Sequence, residues 1–258
     1  MKKTIFSLLV IGLILLSVTG CGKEKVESNA DALKFKEEYE AINGVANSSG
    51  KEHRTLSISE DNPFVYVTGE EIVEKIENNE TFYVYFGSPY CPWCRSVIEK
   101  SIEVAKKNNI DKIYYIEIWD DDGNEILRDK YELQDGQPVK IQDGTDEYYK
   151  LLDSLKSVLS DYTLSDEEEN KIEVGEKRIY APNYFYISNG KVKKMVEGIS
   201  DKQKDSREEL TDEILKDEEE QFNDLFKNSC DENCWFYNFR YVINFYYFIS
   251  LFMLCNIK

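Results

Sequence analysis

Apolar and polar residues change period several times along the chain, and each change marks an element. Lys2 and Lys3 precede an apolar run from Ile5 to Leu16. A charged start, an apolar stretch of about a dozen residues and a small residue before a cut read as a secretory signal. The run is too short for a membrane span of about 20 residues. Residues 22–31 are polar without periodicity and read as a tether. Leu33, Phe35, Tyr39 and Ile42 recur at helical spacing, which predicts a short helix. Residues 43–54, rich in Gly, Asn and Ser, read as a loop; 55–58 and 64–67 read as strands. Thr68 with Glu71 three residues on has capping-box spacing, and Ile72, Val73 and Ile76 form the inward stripe of the helix it starts. Asn78 and Asn79 end that helix. Residues 81–86, Thr-Phe-Tyr-Val-Tyr-Phe, are the strongest strand in the chain. After the turn 87–90, Val97, Ile98, Ile102 and Ala105 lie on one face of a second helix, and 112–118 is another strand. The order βαβαβ predicts parallel central strands with helical crossovers.

The stretch 120–178 reads as an insertion, with a hairpin turn at Asp135-Gly136 and a helix over 146–159 that faces Tyr149, Leu152, Leu155 and Val158 inward. Strands 181–188 and 191–197 follow, joined by Asn189-Gly190, a favoured two-residue hairpin turn. A last helix over 208–227 places Leu215, Phe222, Leu225 and Phe226 on one side. The acidic runs 166–170 and 217–220 read as solvated faces or loops. Residues 235–257 are apolar and aromatic but broken by Asn238, Arg240 and Asn244, which suggests membrane contact or docking on the domain.

Charge narrows the partners. The chain carries 32 Lys and Arg against 50 Asp and Glu, a formal net charge of −18. Such a surface repels phosphate backbones, so no nucleic-acid partner is expected. His53 is the single histidine, which excludes multi-His metal sites and argues against a His-based triad; its polar surroundings predict an exposed position.

The chemistry centres on Cys91-Pro92-Trp93-Cys94, two cysteines at the junction of a buried strand and a helix. A sulfur at a helix N-terminus meets unpaired N–H groups and the positive end of the dipole, which stabilise a thiolate. The thiolate is the species that attacks a disulfide. Cys94, one turn inside the helix, is placed to displace a partner from the mixed disulfide. Pro92 suits an early helical position because it has no N–H to leave unpaired, and Trp93 offers a flat apolar surface beside the sulfurs. Such a pair also serves elsewhere as a structural bridge or as half of a zinc site, the other half here being Cys230 and Cys234. Those two cysteines also suit a small surface disulfide of their own, leaving Cys255 over.

Residues 81–100 resemble the active-site strand, turn and helix of the thioredoxin superfamily, and Tyr90-Cys91-Pro92-Trp93-Cys94-Arg95 resembles its motif. The resemblance implies an α/β thioredoxin-like fold, a central mixed sheet flanked by helices, with an enlarged crossover between the third and fourth core strands. It implies Cys91 as nucleophile, Cys94 as resolving cysteine, no added cofactor, and a cis proline beside the pair. Pro182 after Ala181 fits that place and would expose the Ala181 backbone to a substrate strand. Many members carry a buried acid in the strand before the motif; the matching residue here is Tyr85, and no acid lies within 81–90. No histidine stands between the cysteines, as it does in strong disulfide oxidants. The direction of electron flow therefore does not carry over.

Val18-Thr19-Gly20-Cys21 resembles a bacterial lipobox, which implies lipidation of Cys21 and anchoring without a spanning helix. Together with the motif, this resembles thioredoxin-domain lipoproteins of Gram-positive bacteria. The expected organisation is a signal peptide over 1–20, a lipidated tether and N-terminal extension over 21–62, a thioredoxin-like domain over 63–228 and a cysteine pair with apolar tail over 229–258. The expected function is thiol–disulfide exchange with extracytoplasmic proteins at the outer face of the cell membrane, coupled to a membrane electron donor or acceptor. The alternative is a redox-inert adaptor for export or maturation of secreted peptides.

Overall fold

A computed structural model describes residues 30–47, 49–120 and 123–227. The signal segment 1–20, Cys21 and the segment 229–258, with Cys230, Cys234 and Cys255, lie outside the described residues. In chain order the elements are α1 (Ala30–Ala41), β1 (Phe64–Tyr66), α2 (Gly69–Glu77), β2 (Phe82–Gly87), α3 (Pro92–Lys107), β3 (Ile113–Glu117), β4 (Lys130–Gln134), β5 (Gln137–Gln142), α4 (Asp146–Leu155), β6 (Asp161–Ser165), β7 (Lys171–Lys177), β8 (Asn183–Ser188), β9 (Lys191–Val196) and α5 (Asp212–Lys227).

The central sheet is mixed, in the order β1-β3-β2-β8-β9. β1 and β2 both run parallel to β3, β8 runs antiparallel to β2, and β9 antiparallel to β8. β2 and β8 are buried along their whole length, as strands covered on both faces must be. Alternate residues of β2 serve opposite faces. Tyr83 and Tyr85 join a cluster with Phe35 and Tyr39 of α1, Val97 and Ile98 of α3, and Phe222 and Phe226 of α5. Phe82, Val84 and Phe86 join a second cluster with Ile72 of α2 and Tyr148, Leu151 and Leu155 of α4. The protein is thus an α/β fold with helices on both faces of one mixed sheet.

The capping box predicted at Thr68 is present: its side chain accepts from the Glu71 N–H, and the Glu71 carboxylate accepts from the Thr68 N–H. The stretch between β3 and β8 holds two hairpins, β4–β5 and β6–β7, with α4 between them. A buried ion network joins the beginning of this stretch to its end. Arg128 grips both oxygens of Glu125 at 2.8 and 2.5 Å, and Arg178 reaches Glu125 at 3.0 Å and Asp129 at 3.3 Å. Arg128 also donates to the Ile179 carbonyl at 3.0 Å.

Several sequence expectations shift. Residues 55–58 form no strand: the N–H groups of Leu56 and Ile58 donate to the Asn43 and Glu40 side chains, so no backbone ladder forms. On α4, Leu155 is buried as expected, but Tyr148 and Leu151 rather than Tyr149 and Leu152 complete the inward face; Leu152 and Val158 are only partly buried, and Tyr149 is exposed. On α5 the buried positions include Ile214 and Glu218; Leu215 is only half-buried. Glu218 thus lies in the core rather than on a solvated face. The β6–β7 hairpin was hidden by charge: it forms a small sheet of its own in which only Tyr162 is buried, and β7 mixes half-buried with exposed positions. His53 is buried, against the expectation of exposure: its ring lies edge-on to Tyr90 at 6.5 Å, and its Nδ1 has no hydrogen-bond partner.

Candidate active site

Cys91 is the N-cap of α3, with φ −77° and ψ 116°, and Pro92 stands at the helix start. The Cys94 N–H donates to the Cys91 sulfur at 3.3 Å, so that sulfur occupies the place of a capping oxygen. The turn before it is closed by the Cys91 N–H on the Ser88 carbonyl at 3.2 Å and by the Tyr90 N–H on the Ser88 hydroxyl at 3.2 Å. Both sulfurs are free thiols; Cys91 is 3% exposed and Cys94 0%. Pro92 and Trp93 are half-buried, and Trp93 packs on the edge of the cluster that holds the two sulfurs.

The Ala181–Pro182 peptide bond is cis, and the Ala181 carbonyl lies 3.5 Å from the Cys91 sulfur, which donates to it as a thiol. The structure therefore brings Cys91, Cys94, Pro92, Trp93 and Ala181–Pro182 together across 90 residues of sequence. Among the described residues, no group of three or more His, Cys, Asp or Glu is arranged to hold a metal ion.

The two thiols differ electrostatically. Burial opposes ionisation of Cys91, but hydrogen bonds from the Cys94 side chain and from the backbone of Cys94 and Trp93, with the charge of Arg128, outweigh it and hold the thiol below its ordinary range. For Cys94, burial and the neighbouring Cys91 sulfur push the thiol well up, against hydrogen bonds from the Tyr85 side chain and the Ser88 backbone. Cys91 thus ionises more readily than an ordinary thiol, and Cys94 less readily.

Sequence reasoning missed three contributors. Arg128 comes from the insertion, where no periodicity points at the sulfurs. Tyr39 was legible only as an inward position of α1, yet its hydroxyl lies 3.1 Å from that of Tyr85 beneath the cysteines. Arg95, the last motif residue, is 1% exposed and donates to the carbonyls of Tyr39 at 2.7 Å, Pro89 at 3.2 Å and Arg54 at 2.5 Å, and to Asn43 Oδ1 at 2.7 Å. It ties the active-site helix to α1 and to the loop behind it. No protein-family model and no curated protein matches this chain.

Proposed function

We propose that this protein is a thiol–disulfide oxidoreductase of thioredoxin-like fold, held by lipid at the extracytoplasmic face of the cell membrane and acting on protein thiols and disulfides. The observation that carries the reading is the asymmetric pair at the start of α3: Cys91 accepts the Cys94 N–H and is held below the ordinary thiol range, while Cys94 behind it is pushed above. The sheet order β1-β3-β2-β8-β9 is compatible with such a fold. The apolar run to Leu16 and the sequence Val18-Thr19-Gly20-Cys21 support the lipid anchor.

The Cys91 thiolate attacks one sulfur of a substrate disulfide, forms a mixed disulfide and releases the other sulfur as thiolate. Cys94 then attacks the Cys91 sulfur, which closes the Cys91–Cys94 disulfide and frees the second substrate sulfur. A substrate strand beside Ala181 and Pro182 would be held by backbone hydrogen bonds next to the nucleophile. Run backwards, the same steps donate a disulfide, so the pair serves a reductase or an oxidase according to its membrane partner.

The test is Cys94→Ser in the intact protein. Without the resolving thiol, partners accumulate as mixed disulfides on Cys91, visible as adducts that reductant removes. If C94S captures no thiol partner under any redox poise, exchange is excluded, and a redox-inert adaptor lipoprotein takes its place.

A further inference from the structure

Resting on the exchange reading above, we propose that Glu125, Arg128 and Arg178 are positioning residues: their buried ion network sets the segment 178–181 against Cys91, and so favours disulfides carried on an extended polypeptide over small ones.

Residues 178–182 link two sheets. β7 ends at Lys177 on the small sheet it shares with β6, and β8 begins at Asn183 in the central sheet. Between them the chain reaches the nucleophile, where the Ala181 carbonyl lies 3.5 Å from the Cys91 sulfur. The insertion grips the three residues before Ala181 in turn. The Arg178 N–H donates to the Ser160 carbonyl at 3.2 Å, and its guanidinium to Glu125 at 3.0 Å and to the Asp129 carbonyl at 2.8 Å. The Ile179 carbonyl accepts from Arg128 at 3.0 Å. The Tyr180 hydroxyl donates to the Asp161 carbonyl at 3.2 Å and accepts from the Thr163 N–H at 2.9 Å.

Glu125 joins the two arginines: Arg128 holds both of its oxygens, and Arg178 shares Oε1. Arg128 is 3% exposed, Arg178 5%, and the Glu125 side chain 9%. The Arg128 guanidinium also lies 5.7 Å from the centre of the Trp119 ring, and that of Arg178 4.1 Å from the centre of the Tyr162 ring. A buried ion pair adds little net stability over an apolar replacement, but removing one partner leaves the other charge buried and unpaired. Such a network therefore favours one arrangement of the chain that carries it. The planar fork narrows the choice, because Arg128 must meet both Glu125 oxygens and the Ile179 carbonyl together. A polypeptide strand that pairs with the Ala181 backbone needs that backbone in register with Cys91, and displacement of a reacting group is costly. A small disulfide meets Cys91 without the pairing.

The test uses the reduced full-length chain and two mixed disulfides of thionitrobenzoate, one with 2-mercaptoethanol and one with a short linear Ala/Ser peptide holding a single central cysteine. In each, the Cys91 thiolate attacks the alkyl sulfur, the S–S bond breaks, and coloured thionitrobenzoate leaves with the electron pair. The leaving group is the same and only the backbone differs. The readout is the ratio of the peptide rate to the small-disulfide rate, because loss of folded protein or of Cys91 reactivity lowers both alike. Arg178→Lys keeps the charge without the fork, and Glu125→Gln keeps the shape without the charge. Each should lower the ratio about tenfold, and R178K decides alone if E125Q does not fold. An unchanged ratio in either folded variant overturns the proposal and leaves the exchange reading standing. Free dithiothreitol gives the intrinsic ratio of the two probes; a wild-type ratio no higher than that overturns the proposal even where neither variant folds. A wild-type chain that releases thionitrobenzoate from neither probe overturns the exchange reading itself.

Discussion

A guanidinium buried without a carboxylate among its hydrogen-bond partners must be satisfied by neutral oxygens, and Arg95 is satisfied by four groups from three separate stretches of chain. Burial pushes it down to about 10, still charged at neutral pH. Lysine keeps the charge but lacks the planar fork that reaches these acceptors together. Arg95→Lys should therefore lower the unfolding free energy by about 2–3 kcal/mol in urea denaturation; an unchanged midpoint would mean the cage is not stabilising. Cys91 gives a second residue-level expectation. Its thiol is held below its ordinary value, so alkylation of Cys91 by iodoacetamide should rise with pH around a lower midpoint than in the unfolded chain. Arg128→Met removes a favourable charge and should move that midpoint up. The sequence made Cys91, Cys94, Pro92 and Trp93 legible because helix-start chemistry is local. It could not show Arg95 as a rivet, since three of its four acceptors are backbone carbonyls, which every residue has.

Elements were legible where period and punctuation agreed. β2 is aromatic and β-branched between turns, and the Thr68 capping box and the Asn189-Gly190 hairpin are local devices that act whatever surrounds them. Phase was harder to read: on α4 adjacent tyrosines compete for the core, and tertiary packing selected Tyr148 over Tyr149. On α5 the charge run concealed Glu218, whose carboxylate is 0% exposed with neither oxygen hydrogen-bonded. Burial pushes that carboxyl up to about 8, against the attraction of Lys100 and Arg54. The folded state therefore keeps the Glu218 proton well above the ordinary value of 4.5, at which the unfolded chain releases it. Between these limits unfolding releases a proton, so this group's contribution to stability falls as pH rises and levels off above about pH 8. A single proton can give a slope of at most about 1.4 kcal/mol per pH unit. Glu218→Gln keeps the shape without the titration and should flatten the decline in stability between pH 5 and pH 8, taken here as roughly the span between the two proton affinities. Denaturation series at three pH values decide it: a decline equally steep in E218Q would place its cause elsewhere.

At the scale of the whole molecule, the strand–helix alternation made the sheet and its flanking helices legible. Of the two insertion hairpins, β4–β5 was legible from its Asp135-Gly136 turn; β6–β7 was not, because it pairs on a small sheet of its own and lacks an apolar run. Nor was the position of α1, which packs Phe35 and Tyr39 into the core beneath the cysteines, so residues 30–41 contribute to the site rather than only leading to it. That packing limits how far the active site can move from its anchor. Eight residues, 22–29, separate Cys21 from α1, and a fully extended chain spans at most about 3.3–3.6 Å per residue. A lipid on Cys21 would thus hold the start of α1 within about 30 Å of the bilayer surface. With a formal net charge of −18, the chain is repelled by an anionic leaflet, so electrostatics alone would not hold it at a membrane. No helix among the described residues is long and apolar enough to cross a membrane. Expressed in a bacterium, the wild-type chain should incorporate labelled palmitate, enter the detergent phase on cloud-point partition and resist a high-salt wash, because acyl chains are insensitive to screening. Cys21→Ser should lose the label and move to the aqueous phase. If C21S stays in the detergent phase without label, the lipid is not the anchor, and the apolar stretch 241–255 becomes the segment to delete next.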